Sequence, residues 1–439
     1  MRTAAASVDI TPPIGLPIGG NVRDDNISRG IHDNLYCDII LLEESNEKVC
    51  FLDFDLLALD YKMCNYIKSE IIKKSDLDFE KIVITCSHTH SGPDVGDFFK
   101  DEISKECVEY IKNVALIVSE RVGTMDKELK DSIIKISKSA VYDLSFNRRL
   151  VMKDGPMRMN WEGVDPETVE KVAGPIDPDL FVISIYDTSE KIKALMVNFT
   201  LHPAILVGQD WLWSKDYINY LNNYIKDRLE HDVVVFFANG AEGNINHINY
   251  QDRNQERGFK EARRIGESLG KYVLDAIDSA EKIESTNLKC LSSIINLPLR
   301  SISKEEIDNA KKLIEERGDY IPSLLDGVPD EVYAREIIKL SKIKDKYVET
   351  QIHAVRIGDN AIATLPGEVF VEFGLRIKKE SPFKNTLVFG LANDCVGYVP
   401  TNEAFDEGGY EVKTATTSKL DRNAGDILAS EVIKLIKLL

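Results

Sequence analysis

Histidine is scarce in this chain, with seven residues in 439, and tryptophan is scarcer, with three. No uninterrupted apolar run approaches the ~18 residues that a membrane-spanning helix needs. Basic residues are outnumbered: Lys and Arg total 55 against 73 Asp and Glu, a net charge of −18. That balance argues against nucleic acid or an anionic membrane surface as a partner, since both select for a basic face. Cysteine is low and odd in number, at seven: Cys37, Cys50, Cys64, Cys86, Cys107, Cys290 and Cys395. None of these has C-x-x-C spacing, and several lie in strand-like apolar runs. The pattern argues against a disulfide framework and against a cysteine zinc site, and for reduced, buried thiols. The opening residues Met1-Arg2-Thr3-Ala4-Ala5-Ala6-Ser7-Val8-Asp9 lack an apolar signal core, so the expectation is a cytoplasmic protein.

What is present is the pattern of a mixed α/β protein. Apolar residues make up 43% and charged residues 29%, enough of the former for a large core. Leu35–Leu42 and Val49–Leu56 read as strands joined by the polar turn Glu43–Lys48. A helix over about 60–74 and a strand ending at Cys86 follow, an order that implies a parallel crossover. Helices are expected over about 101–122, 215–229, 255–280 and 424–438. Strands are expected at 181–186, 194–200, 233–238, 286–299, 351–366 and 386–392. Residues 302–346 are charge-rich and read as a solvated helical insertion, opening with a capping-box start at Ser303 and Glu306. With no repeat and no linker, the expectation is one α/β domain over 1–439. Its sheet should be mixed and largely parallel, flanked by helices.

The scarce histidines are not spread evenly. His88 and His90 sit two apart in Ser87-His88-Thr89-His90-Ser91-Gly92-Pro93, directly after the apolar run Ile82–Cys86. Ligand-binding groups collect at the carboxyl ends of strands in α/β proteins, and neutral imidazoles are metal ligands. Three other strands end in the same manner. The strand 194–200 runs into Leu201-His202-Pro203, the strand 233–238 into Asn239–Asn246, and the strand ending at Leu365 into Pro366-Gly367-Glu368. Glycine and proline there allow sharp turns and close backbone approach. Together His88, His202 and Glu368 form a two-histidine, one-carboxylate set. Such a set suits a single catalytic zinc ion with a position left open for water.

In this order the motifs resemble the catalytic domain of the neutral, non-lysosomal ceramidases. Ala6–Pro13 is similar to the opening A-D-I-T-G-P, and Gly30-Ile31-His32 to G-I-H. His88 with Thr89-His90-Ser91-Gly92-Pro93 resembles T-H-T-H-S-G-P, and Asn147-Arg148 resembles the N-R-S segment. Asn239–Asn246 falls on N-A-G-D-V-S-P-N, and Pro366-Gly367-Glu368 on P-G-E. Leu391-Ala392-Asn393, Tyr398, Thr401, Glu403, Tyr410 and Glu411 follow the spacing of the closing tyrosine-rich motif. The resemblance implies a zinc-dependent amidase in which His88, His202, Glu368 and Tyr398 hold the metal. It implies His90 as a catalytic or orienting group and Arg148 as a binder of substrate oxygens.

Two departures qualify it. The family's serine falls on Asn244 and its aspartate on Glu242. Asparagine cannot form an acyl-enzyme, so Asn244 is expected to donate to a developing oxyanion while metal-bound water attacks directly. The longer family members also carry a C-terminal immunoglobulin-like domain and are usually secreted. Neither that domain nor a signal is expected here. The expected substrate is therefore a small-molecule or lipid-like N-acyl amide. An ester or lactone would need the same apparatus, and a metal-binding protein without catalysis is the alternative in a different class.

Overall fold

The computed structural model describes residues 1–20, 22, 25–96, 99, 103–208, 210–284, 287–318 and 328–439. Three mixed sheets share one interior. In the first, β1 (Arg2–Asp9), β2 (Tyr36–Glu44), β3 (Glu47–Phe54) and β4 (Ile82–Cys86) lie in the order β4-β3-β2-β1, with Lys130–Asp131 beyond β1. The second contains β5 (Ile133–Ala140), β6 (Asp179–Tyr186), β7 (Ile192–Phe199) and β8 (Val234–Asn239). It runs β8-β7-β6-β5, with Glu281–Lys282 at its edge. The third runs β9 (Leu288–Pro298), β10 (Tyr347–Ile357), β11 (Asn360–Thr364) and β12 (Asn385–Phe389), in that order.

The mixed α/β class is as expected, but the sheet is neither single nor largely parallel. Most neighbours are antiparallel because most connections are short polar turns, such as the one joining β2 to β3. Each sheet has one parallel pair at an end of its order: β3–β4, β7–β8 and β11–β12. Each pair is made by one crossover helix. These are α1 (Tyr61–Ile72), α3 (Tyr217–Leu229) and α7 (Val371–Glu380). Helix α7 is absent from the sequence expectations, its ten residues being short and preceded by the Pro366-Gly367 turn. The other helices are α2 (Lys105–Met125), α4 (Gly258–Ile277), α5 (Lys304–Arg317), α6 (Asp330–Leu340), α8 (Asn402–Glu407) and α9 (Ala424–Ile436).

The three sheets meet at a phenylalanine trio, one ring from each. Phe51 of β3, Phe236 of β8 and Phe389 of β12 have centroids 6.2–6.4 Å apart. They sit in one buried apolar cluster with Ile40, Val83, Ile183 and Leu387. Because the parallel pairs converge there, their six carboxyl ends emerge side by side. All seven cysteines are buried. No described helix is long and apolar enough to cross a membrane.

The 302–346 insertion is less solvated than its composition suggests. Helix α5 buries only Ala310, but α6 buries Val332, Tyr333, Ala334, Glu336 and Leu340. Glu336 accepts from the backbone amide of Thr416 at 2.8 Å and from its hydroxyl, fastening α6 to the loop that follows Tyr410. Lys413 of that loop lies over the Tyr333 ring at 4.8 Å.

Candidate metal centre

β4 delivers His88. Ser87 N donates to Phe54 O and His88 N to Leu56 O, turning the chain sharply, with His88 at φ +69°. A left-handed non-glycine residue is costly and is kept where a site requires it. The His88 Nδ1 atom lies 2.6 Å from the Leu57 carbonyl. A carbonyl only accepts, so that nitrogen carries the proton and Nε2 presents its lone pair. β7 delivers His202, and Asn239 at the end of β8 fixes the turn by accepting from Leu201 N at 3.1 Å. Gly240 is obligatory beside it, since a Cβ there would lie 2.0 Å from Thr200 Oγ1. β11 delivers Glu368 through Gly367, which is at φ +135° and against the Gly397 carbonyl.

These ends converge. The ligand atoms of His88, His90 and His202 all lie within 4.8 Å of one another. Glu368 Oε2 is 3.5 Å from His88 Nε2 and 3.9 Å from His202 Nε2, and the His90 and His202 Nε2 atoms are 3.1 Å apart. Four ligands at 2.0–2.1 Å in a tetrahedron would stand about 3.3 Å from one another. His88 Nε2 and Glu368 Oε2 are buried with no hydrogen-bond partner. Two electron-rich atoms facing each other in the interior are satisfied by a positive centre between them, a proton or a metal ion. The residues therefore fit a metal ion, and the three histidines could hold one.

The electrostatics separate the two histidines. Burial pulls the His88 imidazole down, but Glu368, Glu242 and the Leu57 carbonyl outweigh it and raise its pKa. Burial holds His202 far below the usual histidine range, reinforced by His88, Arg148 and His90. His202 is thus a neutral imidazole, the form that ligates.

The structure brings His88, His90, His202 and Glu368 together, and Tyr398, Arg148 and Asn244 pack around them. His90 stands within the histidine cluster itself. Tyr398 pairs in parallel register with Glu368, and its hydroxyl is hydrogen-bonded to that of Tyr410. Burial, helped by Glu368 and Tyr410, pushes the Tyr398 phenol well above its ordinary pKa. Arg148 is buried, not a surface residue. Its Nε donates to Glu411 at 3.0 Å, and Nη2 donates to Gly243 O at 2.6 Å and to Tyr410 at 3.0 Å. Its guanidinium lies 5.2–5.5 Å from the rings of Trp161, Tyr398 and Tyr410. Asn244 is committed on both sides: Oδ1 accepts from Val371 N at 2.8 Å and Nδ2 donates to Glu372 at 3.0 Å. It clamps the start of α7 directly behind Glu368.

Three participants carried no assigned role from sequence. Glu242 is fully buried with both oxygens unpartnered, and burial pushes its pKa up to about 8 against the pull of His88. Glu411 is fully buried between two arginines, Arg148 and Arg149 at 2.8 Å. Tyr410 links Arg148 to Tyr398. Of the tryptophans, Trp161 flanks Tyr410 at 5.5 Å, Trp213 is core, and Trp211 stacks under Arg29. His32 lies outside the cluster, stacked on Phe259. A cleft of about 930 Å³ between Tyr36, Lys215 and Asn222 is not lined by any of the cluster's histidines.

No protein-family profile matches the sequence. Solved structures do share the fold. A neutral ceramidase from Pseudomonas aeruginosa superposes with a TM-score of 0.76 at 18% identity, over 100% of this chain and 74% of that one. A ceramidase complexed with C2 gives 0.73 at 16% identity, over 100% and 75%. The chain therefore has the fold of the bacterial neutral ceramidase.

Proposed function

We propose that this chain is a metal-dependent hydrolase that cleaves the C–N amide bond of an N-acyl substrate, with His88, His202, Glu368 and Tyr398 as the metal's ligands. The observation that carries the reading is the buried, unpartnered pair His88 Nε2 and Glu368 Oε2 at 3.5 Å, with His202 beside it. The ceramidase fold supports amide hydrolysis, and zinc is the ion we favour. When bound, such an ion supplies Lewis acidity and water activated near neutral pH.

The protein's own groups divide the remaining work. The Leu57 carbonyl fixes the tautomer of His88. His90 stands beside His202, within reach of a proton leaving the nucleophile or joining the amine. Arg148, held by Glu411, orients Tyr410 toward Tyr398 and presents positive charge to the substrate's oxygen. Asn244 stands where the resemblance puts a serine, and its bonds to Val371 and Glu372 favour a path without an acyl-enzyme.

The test has two parts. Metal content is measured on wild type and His88→Ala, and turnover is assayed on a panel of N-acyl amides, esters and lactones. Roughly one ion per chain, lost in the variant and accompanied by amide cleavage, supports the reading. Metal binding with no turnover on any class would leave a binding protein.

A further inference from the structure

Lys68 on α1 is wholly buried, yet its ammonium meets amide oxygens instead of a carboxylate. Nζ donates to Gln351 Oε1 at 2.7 Å and to Asn393 Oδ1 at 3.0 Å. Glu80 acts one step further out, accepting from Gln351 Nε2 at 2.7 Å. Burial depresses the Lys68 pKa to about 8. A buried ammonium without a direct counter-ion is expensive to keep. The proposed chemistry does not use it.

What Lys68 holds is the crosspiece of the metal centre. Asn393 sits at φ +64°, and its Oδ1 also accepts from Ile84 N at 3.2 Å. Asn393 N donates to Ile84 O at 2.8 Å, and Cys86 N to Leu391 O at 3.3 Å. These bonds fasten the segment 391–393 to β4, whose next turn carries His88. The same segment is tied to the turn that carries Glu368, through Ala392 N to Leu365 O at 2.9 Å and Leu391 N to Gly367 O at 3.4 Å. Asn393 Nδ2 completes the frame against His353 Nδ1 at 3.2 Å.

We infer that Lys68 and Asn393 are positioning residues for the metal: a buried strut that sets the His88–Glu368 separation and so tunes ion affinity. The inference rests on the metal-site reading above. Without the ammonium, Asn393 Oδ1 loses a charged donor, and the left-handed crosspiece relaxes against two strand ends at once.

The experiment is competitive zinc titration against a chromophoric chelator, on wild type, Lys68→Met and Asn393→Gly. The glycine suits the positive φ and removes only the side-chain strut. Lys48→Met is the control, because it breaks a surface ion-pair cluster with Asp76 and Asp126 in the same sheet. Zinc affinity should fall about 10- to 100-fold in Lys68→Met and Asn393→Gly, and stay at the wild-type value in Lys48→Met even where its melting temperature drops. Wild-type affinity in both strut variants would overturn the inference while leaving the site intact. So would losses that merely track melting temperature across all three variants. If Lys68→Met fails to fold, Asn393→Gly alone decides. Absence of zinc binding by the wild type would instead sink the metal-site reading itself.

Discussion

At the scale of single residues, the centre is a set of buried, converging side chains that could hold a metal ion. Replacing His88 or His202 by alanine should strip the metal and leave the fold largely intact, since both side chains lie at strand ends outside the four apolar clusters. Mass spectrometry of the purified variants, with circular dichroism alongside, checks both halves. Asn244 behaves differently. Serine does not replace both of its bonds. Asn244→Ser leaves the buried Val371 N–H and Glu372 short of partners, at a cost of about 1–3 kcal/mol. Urea unfolding would show it, and a variant as stable as wild type would refute the clamp. His88, His202 and Glu368 were legible in sequence because each follows an apolar strand and sits next to Gly, Pro or another His. Glu242 and Glu411 carried no role there, and the bonds of Asn244 were not legible. An acid in a Gly-rich turn reads as solvated, and the partner of Asn244 is a helix too short to anticipate.

At the scale of elements, two junctions make predictions. Asp394 accepts from Tyr61 N at 2.9 Å, at the start of α1, and from Cys395 N at 2.7 Å. Burial pushes its pKa up to about 6, well above the ordinary carboxylate range, despite the Cys395 amide. The folded state therefore keeps this proton over a range where the unfolded chain has lost it. Its contribution to stability is full below about pH 4 and is lost as pH rises through 6. Asp394→Asn keeps the shape without the titration. The variant should gain on wild type from pH 4 to 6 and hold a constant lead above, in denaturant midpoints measured across that range. A difference that is flat with pH would refute the assignment. The second junction is α6 on the Tyr410 loop. Glu336→Ala leaves the buried Thr416 amide unpaired, a loss of about 1–3 kcal/mol, and frees the segment that positions Tyr410. Hydrogen exchange at Thr416 should rise and turnover should fall, while metal content stays at the wild-type level. Sequence foresaw two helices here but read them as solvated, because charge density marks an exposed face and cannot reveal that one buried carboxylate holds a distant loop.

For the whole molecule, the site is a product of how three sheets meet. Each sheet contributes one βαβ crossover, and the two strand ends of each crossover carry neighbouring parts of the centre. β3 and β4 bring Leu57 and His88, β7 and β8 bring His202 and Glu242, and β11 and β12 bring Glu368 and Asn393. Sequence could mark the individual strands and their polar ends. It could not count the sheets, because an apolar run looks alike whether its neighbour is parallel, antiparallel or in another layer. The trio Phe51, Phe236 and Phe389 is where that choice was made. Phe236→Ala empties a wholly buried ring site shared by all three sheets, and such truncations cost about 3–5 kcal/mol. Since no sheet holds the centre alone, loosening this junction should weaken metal binding together with stability, although the trio belongs to none of the ligands. Thermal unfolding followed by circular dichroism and by metal release should then give one coincident transition, shifted down in the variant. Metal loss at a temperature well below the loss of sheet structure would show instead that the histidine turns are held locally, and that the three-sheet junction is only their support.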